Sequence, residues 1–213
     1  MYKRQVLDYI DNGESLGIGS GSTVNILIEN LSKVKNKIRN VVSSSVKSTE
    51  LLESNGFEVS ELRDVGRLTK YIDGADEVNK DLQLIKGGGG ALTREKILAH
   101  NSNQFICIVD DSKKVDMLGK FPLPIEVIPL SRSSVSLELI KHGGRPVLRE
   151  NFVTDNGNLI LDIHNLQIME PIKLEQTIND IPGVVTNGIF ALDHANVLIC
   201  ASDNGVDKTD LNA

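Results

Sequence analysis

No apolar run in this chain reaches the roughly 18 residues that a membrane-spanning helix requires. The opening stretch MYKRQVLDYIDNGE likewise lacks the apolar centre of a secretory leader, so the chain is expected in the cytoplasm, away from membranes. A basic excess is missing too. With a formal net charge of -6, the chain has no general basic face for a nucleic-acid backbone, and no nucleic-acid partner is expected. Cysteine is scarce: Cys107 in FICIV and Cys200 in VLICAS lie in apolar runs without CxxC spacing, which reads as two buried thiols. His100, His142, His164 and His194 show no HxH or HxxxH spacing, so no metal site is expected from them. Internal repeats are absent as well, which excludes solenoids.

What is present is an ordinary globular balance, 40% hydrophobic and 24% charged over 213 residues, enough for a larger domain carrying a smaller one. The first part alternates short apolar runs with helical stretches. SLGIG, NVVSSS, FEVSEL, LTKYID and FICIVDD read as strands; TVNILIENLSKV, STELLESNG and ALTREKILAHN read as helices. Such alternation predicts an α/β fold with a Rossmann-like, doubly wound parallel sheet. In KFPLPIEVIPL, three prolines within eight residues predict a connection rather than an element. Beyond it come a helix (SRSSVSLELIKHGG), a hairpin turning at Asp155-Asn156-Gly157, a helix (IKLEQTINDIPG) and a strand (VVTNGIFA). That order predicts a smaller α+β, ferredoxin-like domain over 125–193, the larger domain taking 1–124 and 194–213.

Three glycine-marked turns follow strands in the larger domain. In GIGSGST, glycines would let backbone N–H groups face a concavity while Ser20, Ser22 and Thr23 offer hydroxyls near a helix N-terminus. A phosphate ester suits it better than a dinucleotide, because Ser22 replaces the third glycine of GxGxxG, and no Walker ending is present; a plain structural turn stays open. In DGADE, Asp73 and Asp76 are three apart. They could hold a divalent metal, exchange protons with sugar hydroxyls, or cap a helix. In KGGGGALTREK, four consecutive glycines separate Lys86 from a helical segment with Glu95 near its first turn. Glycine loses more conformational entropy on folding than any other residue, so the run implies a backbone approached closely by a ligand. A lysine, a glutamate and two aspartates form a set suited to moving a proton beside a carbonyl.

The succession GIGSGST, SSSVKST, DGADE, KGGGGALTREK, DDSKK, KFPLPIEVIP and IPGVVTNGIF resembles, in order and over nearly the whole chain, the ribose-5-phosphate isomerases of the A type. The resemblance implies interconversion of ribose 5-phosphate and ribulose 5-phosphate through an enediolate, without metal or cofactor, in a homodimer or a dimer of dimers. It implies Glu95 as the base, Lys86 as the charge that stabilises the enediolate oxygens, and Asp73 and Asp76 as the groups for ring opening and hydroxyl binding. Ser20, Gly21, Ser22, Thr23, Gly74, Ala75, Gly87, Gly88, Gly89 and Lys113 would complete the substrate-binding set.

The family commonly has a longer N-terminal helix bearing lysines. About 14 residues precede SLGIG here, so one phosphate-facing lysine is expected to be missing, and Lys47 of SSSVKST is expected to supply the charge. A sugar-phosphate sensing module and a related transferase or deaminase are the other classes considered. The lack of a helix-turn-helix segment before the sheet disfavours the first, and the lack of a histidine beside the acids disfavours a deaminase.

Overall fold

The computed structural model describes residues 6–211. Thirteen strands and five longer helices follow one another there. They run β1 (Glu14–Ile18), α1 (Ser22–Leu31), β2 (Ile38–Ser43), α2 (Val46–Ser54), β3 (Leu68–Asp73), β4 (Glu77–Val78), β5 (Leu84–Ile85), α3 (Leu92–His100) and β6 (Ser102–Asp110). Then come β7 (Leu123–Val127), α4 (Arg132–Lys141), β8 (Arg145–Leu148), β9 (Leu159–His164), α5 (Pro171–Asn179), β10 (Val184–Asn187), β11 (Ile189–Phe190), β12 (Val197–Ser202) and β13 (Gly205–Asp210).

The chain divides into two compact units. The first comprises 1–74, 94–112 and 195–213, and the second 75–93 and 113–194. The division expected at 124/125 falls inside β7, and 75–93 groups with the second unit.

In the first unit a six-stranded sheet has the order β13-β12-β6-β3-β1-β2, with every neighbouring pair parallel except β12 and β13. From β1 the chain moves outward to β2, then crosses back to β3 on the other side of β1. Polar turns after β1 and β3 therefore lie side by side at a topological switch point, where open α/β sheets bind ligands. Helix α1 buries Val24, Leu27, Ile28 and Leu31, the i, i+3, i+4, i+7 stripe visible in the sequence. Each such side chain contributes about 1.5–3 kcal/mol when fully removed from water. It ends three residues before the expected Val34, whose φ of -123° lies outside the helical range. FEVSEL is not a strand: Val59 makes a single bridge to Val41 before a helical turn begins at Leu62. The polar tail, by contrast, forms β13 along the sheet edge.

The second unit contains a four-stranded antiparallel sheet of order β10-β7-β9-β8 and a three-stranded sheet of order β11-β5-β4. KFPLPIEVIPL is therefore not merely a connection, since Leu123–Val127 is a central strand. Pro124 is tolerated at its start because pairing to β10 begins one residue later, at Ile125, and its carbonyl still accepts from Gly188 N at 2.8 Å. With β7 included, the order β7-α4-β8-β9-α5-β10 is the split βαβ arrangement of ferredoxin-like folds. Its core gathers Ile125, Val127, Val135, Leu139, Leu161, Ile163 and Ile178.

Candidate active site

β1 ends at Ile18 and β3 at Asp73, on adjacent parallel strands, so the turn after β1 meets the Asp73 carboxylate. Ser20 N donates to Asp73 Oδ1 at 3.1 Å and Gly74 N to the same oxygen at 2.7 Å. The Tyr71 hydroxyl donates to Oδ2. Tyr71 was not among the expected site residues, although its spacing contained the signal: two residues before Asp73 on a strand, it points to the same face. Ser20 Oγ donates to Glu95 Oε1 at 2.6 Å, which brings a second carboxylate to the same place. Glu95 sits in the first turn of α3. Within the first unit, then, Ser20, Tyr71, Asp73 and Glu95 form one constellation.

Gly21, at φ 98°, caps α1, and Ser22 and Thr23 open that helix with their backbone N–H groups outside the ladder. Lys47 lies exposed in the first turn of α2, which Ser48 ties to the β1 turn by donating its hydroxyl to Gly19 O at 2.8 Å. The expected missing N-terminal lysine concerns a stretch that includes residues 1–5, which lie outside the described residues.

In the second unit Asp76 and the glycine run come together. Gly88 N donates to Asp76 Oδ2 at 2.8 Å, and Asp76 N to Ile85 O at 2.8 Å. Gly87, at φ 101°, and Gly90, at φ 84°, take backbone conformations that side-chain-bearing residues rarely adopt, and Gly90 N closes a turn on Gly87 O at 2.9 Å. Gly88 has no room for a side chain: a Cβ there would lie 2.6 Å from Asp76 Oδ1. The Lys86 ammonium stands 5.5 Å from the Phe190 ring centroid. Lys113 closes a short 3-10 turn after β6 and is half-buried. Ala75 is half-buried beside Asp76.

Asp73 is 0% exposed, and Lys86 and Glu95 are each 3% exposed. Ionisable groups are rarely buried so deeply without a use. Among the described residues no three His, Cys, Asp or Glu side chains converge as metal ligands. Cys107 and Cys200 are buried thiols.

Burial, then the charges of Asp73 and Glu95, push the Tyr71 hydroxyl well above its ordinary range. Burial opposes the charge of Lys70, but hydrogen bonds to Glu14 and Asp11 outweigh it and raise that group as well. The signs agree. An unfolded tyrosine loses its proton near pH 10, before the folded one does, so stability falls as pH rises from there; the Lys70 contribution, complete below about pH 10.4, is lost as pH climbs through its folded value. Urea midpoints at about pH 8 and about pH 11 are expected to differ more in the wild type than in Tyr71→Phe. Equal differences would remove Tyr71 from this alkaline limb.

These features define the class: a doubly wound α/β unit, with Asp73 and the turn after β1 at the carboxyl ends of adjacent parallel strands, in one chain with a ferredoxin-like unit. The family model described as ribose 5-phosphate isomerase A (phosphoriboisomerase A) matches residues 40–205. The ribose 5 phosphate isomerase A of Neisseria gonorrhoeae superposes with a TM-score of 0.96 at 48% identity, covering 98% of this chain and 94% of that one. A D-ribose-5-phosphate isomerase solved in complex with phospho-erythronic acid gives 0.94 at 37% identity, covering 98% and 96%. Ribose 5-phosphate isomerase A of Methanocaldococcus jannaschii gives 0.92 at 35%, also covering 98% and 96%. The chain belongs to the ribose 5-phosphate isomerase A family.

Proposed function

We propose that this chain interconverts D-ribose 5-phosphate and D-ribulose 5-phosphate, a step of the non-oxidative pentose phosphate pathway, by proton transfer through an enediolate. The reading is carried by the family match over 40–205, with Glu95 buried at the first turn of α3 and held by Ser20 as its chemical counterpart. Asp73 and Asp76 handle ring opening and the hydroxyls. Glu95 takes the C2 proton of the open aldehyde; the C–H electron pair forms the C1–C2 double bond, and the carbonyl oxygen becomes anionic. Lys86 and the N–H groups of the glycine loop stabilise that oxygen. Glu95 returns its proton at C1, while a proton passes from the C2 hydroxyl to the oxygen on C1. Ser20 to Thr23, with Lys47 and Lys113, bind the phosphate and hydroxyl ends, and Gly74 and Ala75 line the substrate beside the aspartates.

The test is conversion of ribose 5-phosphate in deuterium oxide with excess EDTA. Ribulose 5-phosphate carrying solvent deuterium at C1, in the fraction of turnovers in which the Glu95 carboxyl proton exchanges before its return, is the expected product; no turnover would overturn the reading. We also assign a cytoplasmic homodimer. Among the described residues no helix is long and apolar enough to cross a membrane, and the second unit exposes Leu130, Leu137 and Met169. Sedimentation of the same preparation at the single-chain mass would reject the dimer.

A further inference from the structure

The glycine run is held from outside by a hairpin that belongs to none of the motifs above. Arg149 follows β8, and its guanidinium forks onto Asp162 of β9: Nε donates to Oδ2 at 2.9 Å and Nη2 to Oδ1 at 2.5 Å. That bidentate pair fixes the plane of the guanidinium. The remaining nitrogen, Nη1, then donates to the carbonyls of Gly87 at 3.2 Å and Gly88 at 3.1 Å. The guanidinium carbon lies 5.4 Å from the Phe152 ring centroid, and the same ring fills the space beside Gly90, where an added Cβ would come within 2.1 Å of it. Arg149 and Asp162 are each about four-fifths buried, with side chains 18% and 20% exposed, so the pair is largely shielded from solvent screening. Beyond the glycines, Thr93 donates its hydroxyl to Glu126, a buried carboxylate that also accepts from Thr154 at 2.9 Å and Asn158 at 2.8 Å. Both ends of the loop are thus strapped to the 149–162 hairpin.

Peptide planarity turns this strap into a consequence for function. In a trans peptide the N–H points opposite to the C=O of the preceding residue, and no cis bond occurs among the described residues. Drawing the Gly87 carbonyl onto Arg149 directs the Gly88 N–H away from it, and that N–H is found on Asp76. Drawing the Gly88 carbonyl the same way directs the Gly89 N–H to the side opposite Arg149, and an added Cβ on Gly89 would itself meet nothing within 4 Å. We propose that Arg149, locked by Asp162, is a positioning residue for isomerisation: it orients the peptide planes of the glycine loop so that the Gly88 N–H holds the Asp76 carboxylate and the Gly89 N–H faces the substrate oxygens. This assignment rests on the isomerase reading above. A lysine cannot replace it, because a point charge cannot grip Asp162 with two parallel bonds and reach two carbonyls at once.

The test compares wild type with Arg149→Ala, Arg149→Lys, Asp162→Asn and, as a control, Lys173→Ala from the exposed pair Lys173–Glu170 of the same unit. All are assayed below their melting temperatures. Arg149→Ala is expected to lose about 10- to 100-fold in kcat/KM, the scale of a misplaced site group, and a similar factor in affinity for phospho-erythronic acid. Arg149→Lys recovers little, Asp162→Asn loses a smaller factor, and Lys173→Ala stays at the wild-type level. Low, non-denaturing guanidinium restores part of the Arg149→Ala rate saturably, which a merely structural role would not produce. A folded Arg149→Ala with wild-type constants, or full recovery by lysine, overturns the proposal. Wild-type inactivity would instead strike the isomerase reading. The amide exchange of Gly88 and Gly89 then still decides the strap: faster exchange in Arg149→Ala supports it, and unchanged exchange ends it.

Discussion

Replacing Glu95 by glutamine is expected to lower kcat by about 100- to 10,000-fold, the usual worth of a positioned general base, while substrate affinity changes only a few-fold. Glutamine is nearly isosteric, and its amide oxygen can still accept the Ser20 hydroxyl that holds Oε1 at 2.6 Å, so the first turn of α3 keeps its place. What disappears is the basic carboxylate. A change in chemistry without a change in shape removes an interaction made only on the way to the transition state, so kcat and kcat/KM fall together and KM stays. Steady-state kinetics on ribose 5-phosphate read the outcome directly. A variant with near-normal kcat would take the base role from Glu95.

The second large effect comes from a single methyl group. At Gly19→Ala the new Cβ would lie 1.8 Å from Asp73 Cγ and 2.1 and 2.3 Å from its two oxygens. Asp73 cannot yield, because it is buried and is gripped by Tyr71, by Ser20 N and by Gly74 N. Nor can Gly19 move freely, since its own N–H donates to Ile72 O at 2.9 Å and its carbonyl accepts from Ser48. Overpacking alone costs about 1–3 kcal/mol, and loss of the buried hydrogen bonds adds about 1–3 kcal/mol more. The urea midpoint is expected to fall accordingly, and turnover with it, because Asp73 and Ser20 are displaced together. Gly89→Ala serves as the counterpart. Open space surrounds its Cβ, so its midpoint should match wild type. A Gly19→Ala protein as stable as wild type would mean that Asp73 is not held as tightly as its hydrogen bonds indicate.

Much of this was legible in the residues. The i, i+3, i+4, i+7 stripe of α1, the alternation of apolar runs with helices, and the hairpin at Asp155-Asn156-Gly157 are local patterns, and local patterns survive folding because short-range sterics and burial set them. The motif order pointed to the family for the same reason, since a glycine run or a DGADE turn keeps its chemistry wherever it is placed. The misreadings have one origin. Pro122, Pro124 and Pro129 argue locally against a strand, yet β7 is central, because the one N–H that proline lacks is not required at the strand's start. FEVSEL has a strand's composition, but a helical turn begins before it can pair beyond Val59.

The fold class, the family and the cast of titratable residues could be read along the chain, because all three rest on residue types and their spacings. Which side chain holds which became visible in the fold. Tyr71 beneath Asp73, Ser20 on Glu95 and Arg149 on Gly87 and Gly88 join residues 2, 75, and 62 or 61 positions apart, and only the first of these separations falls within a local repeat. Strand order and hairpin packing set the others. Sheet crossovers and side-chain burial are properties of the whole folded chain, and no short window of sequence contains them.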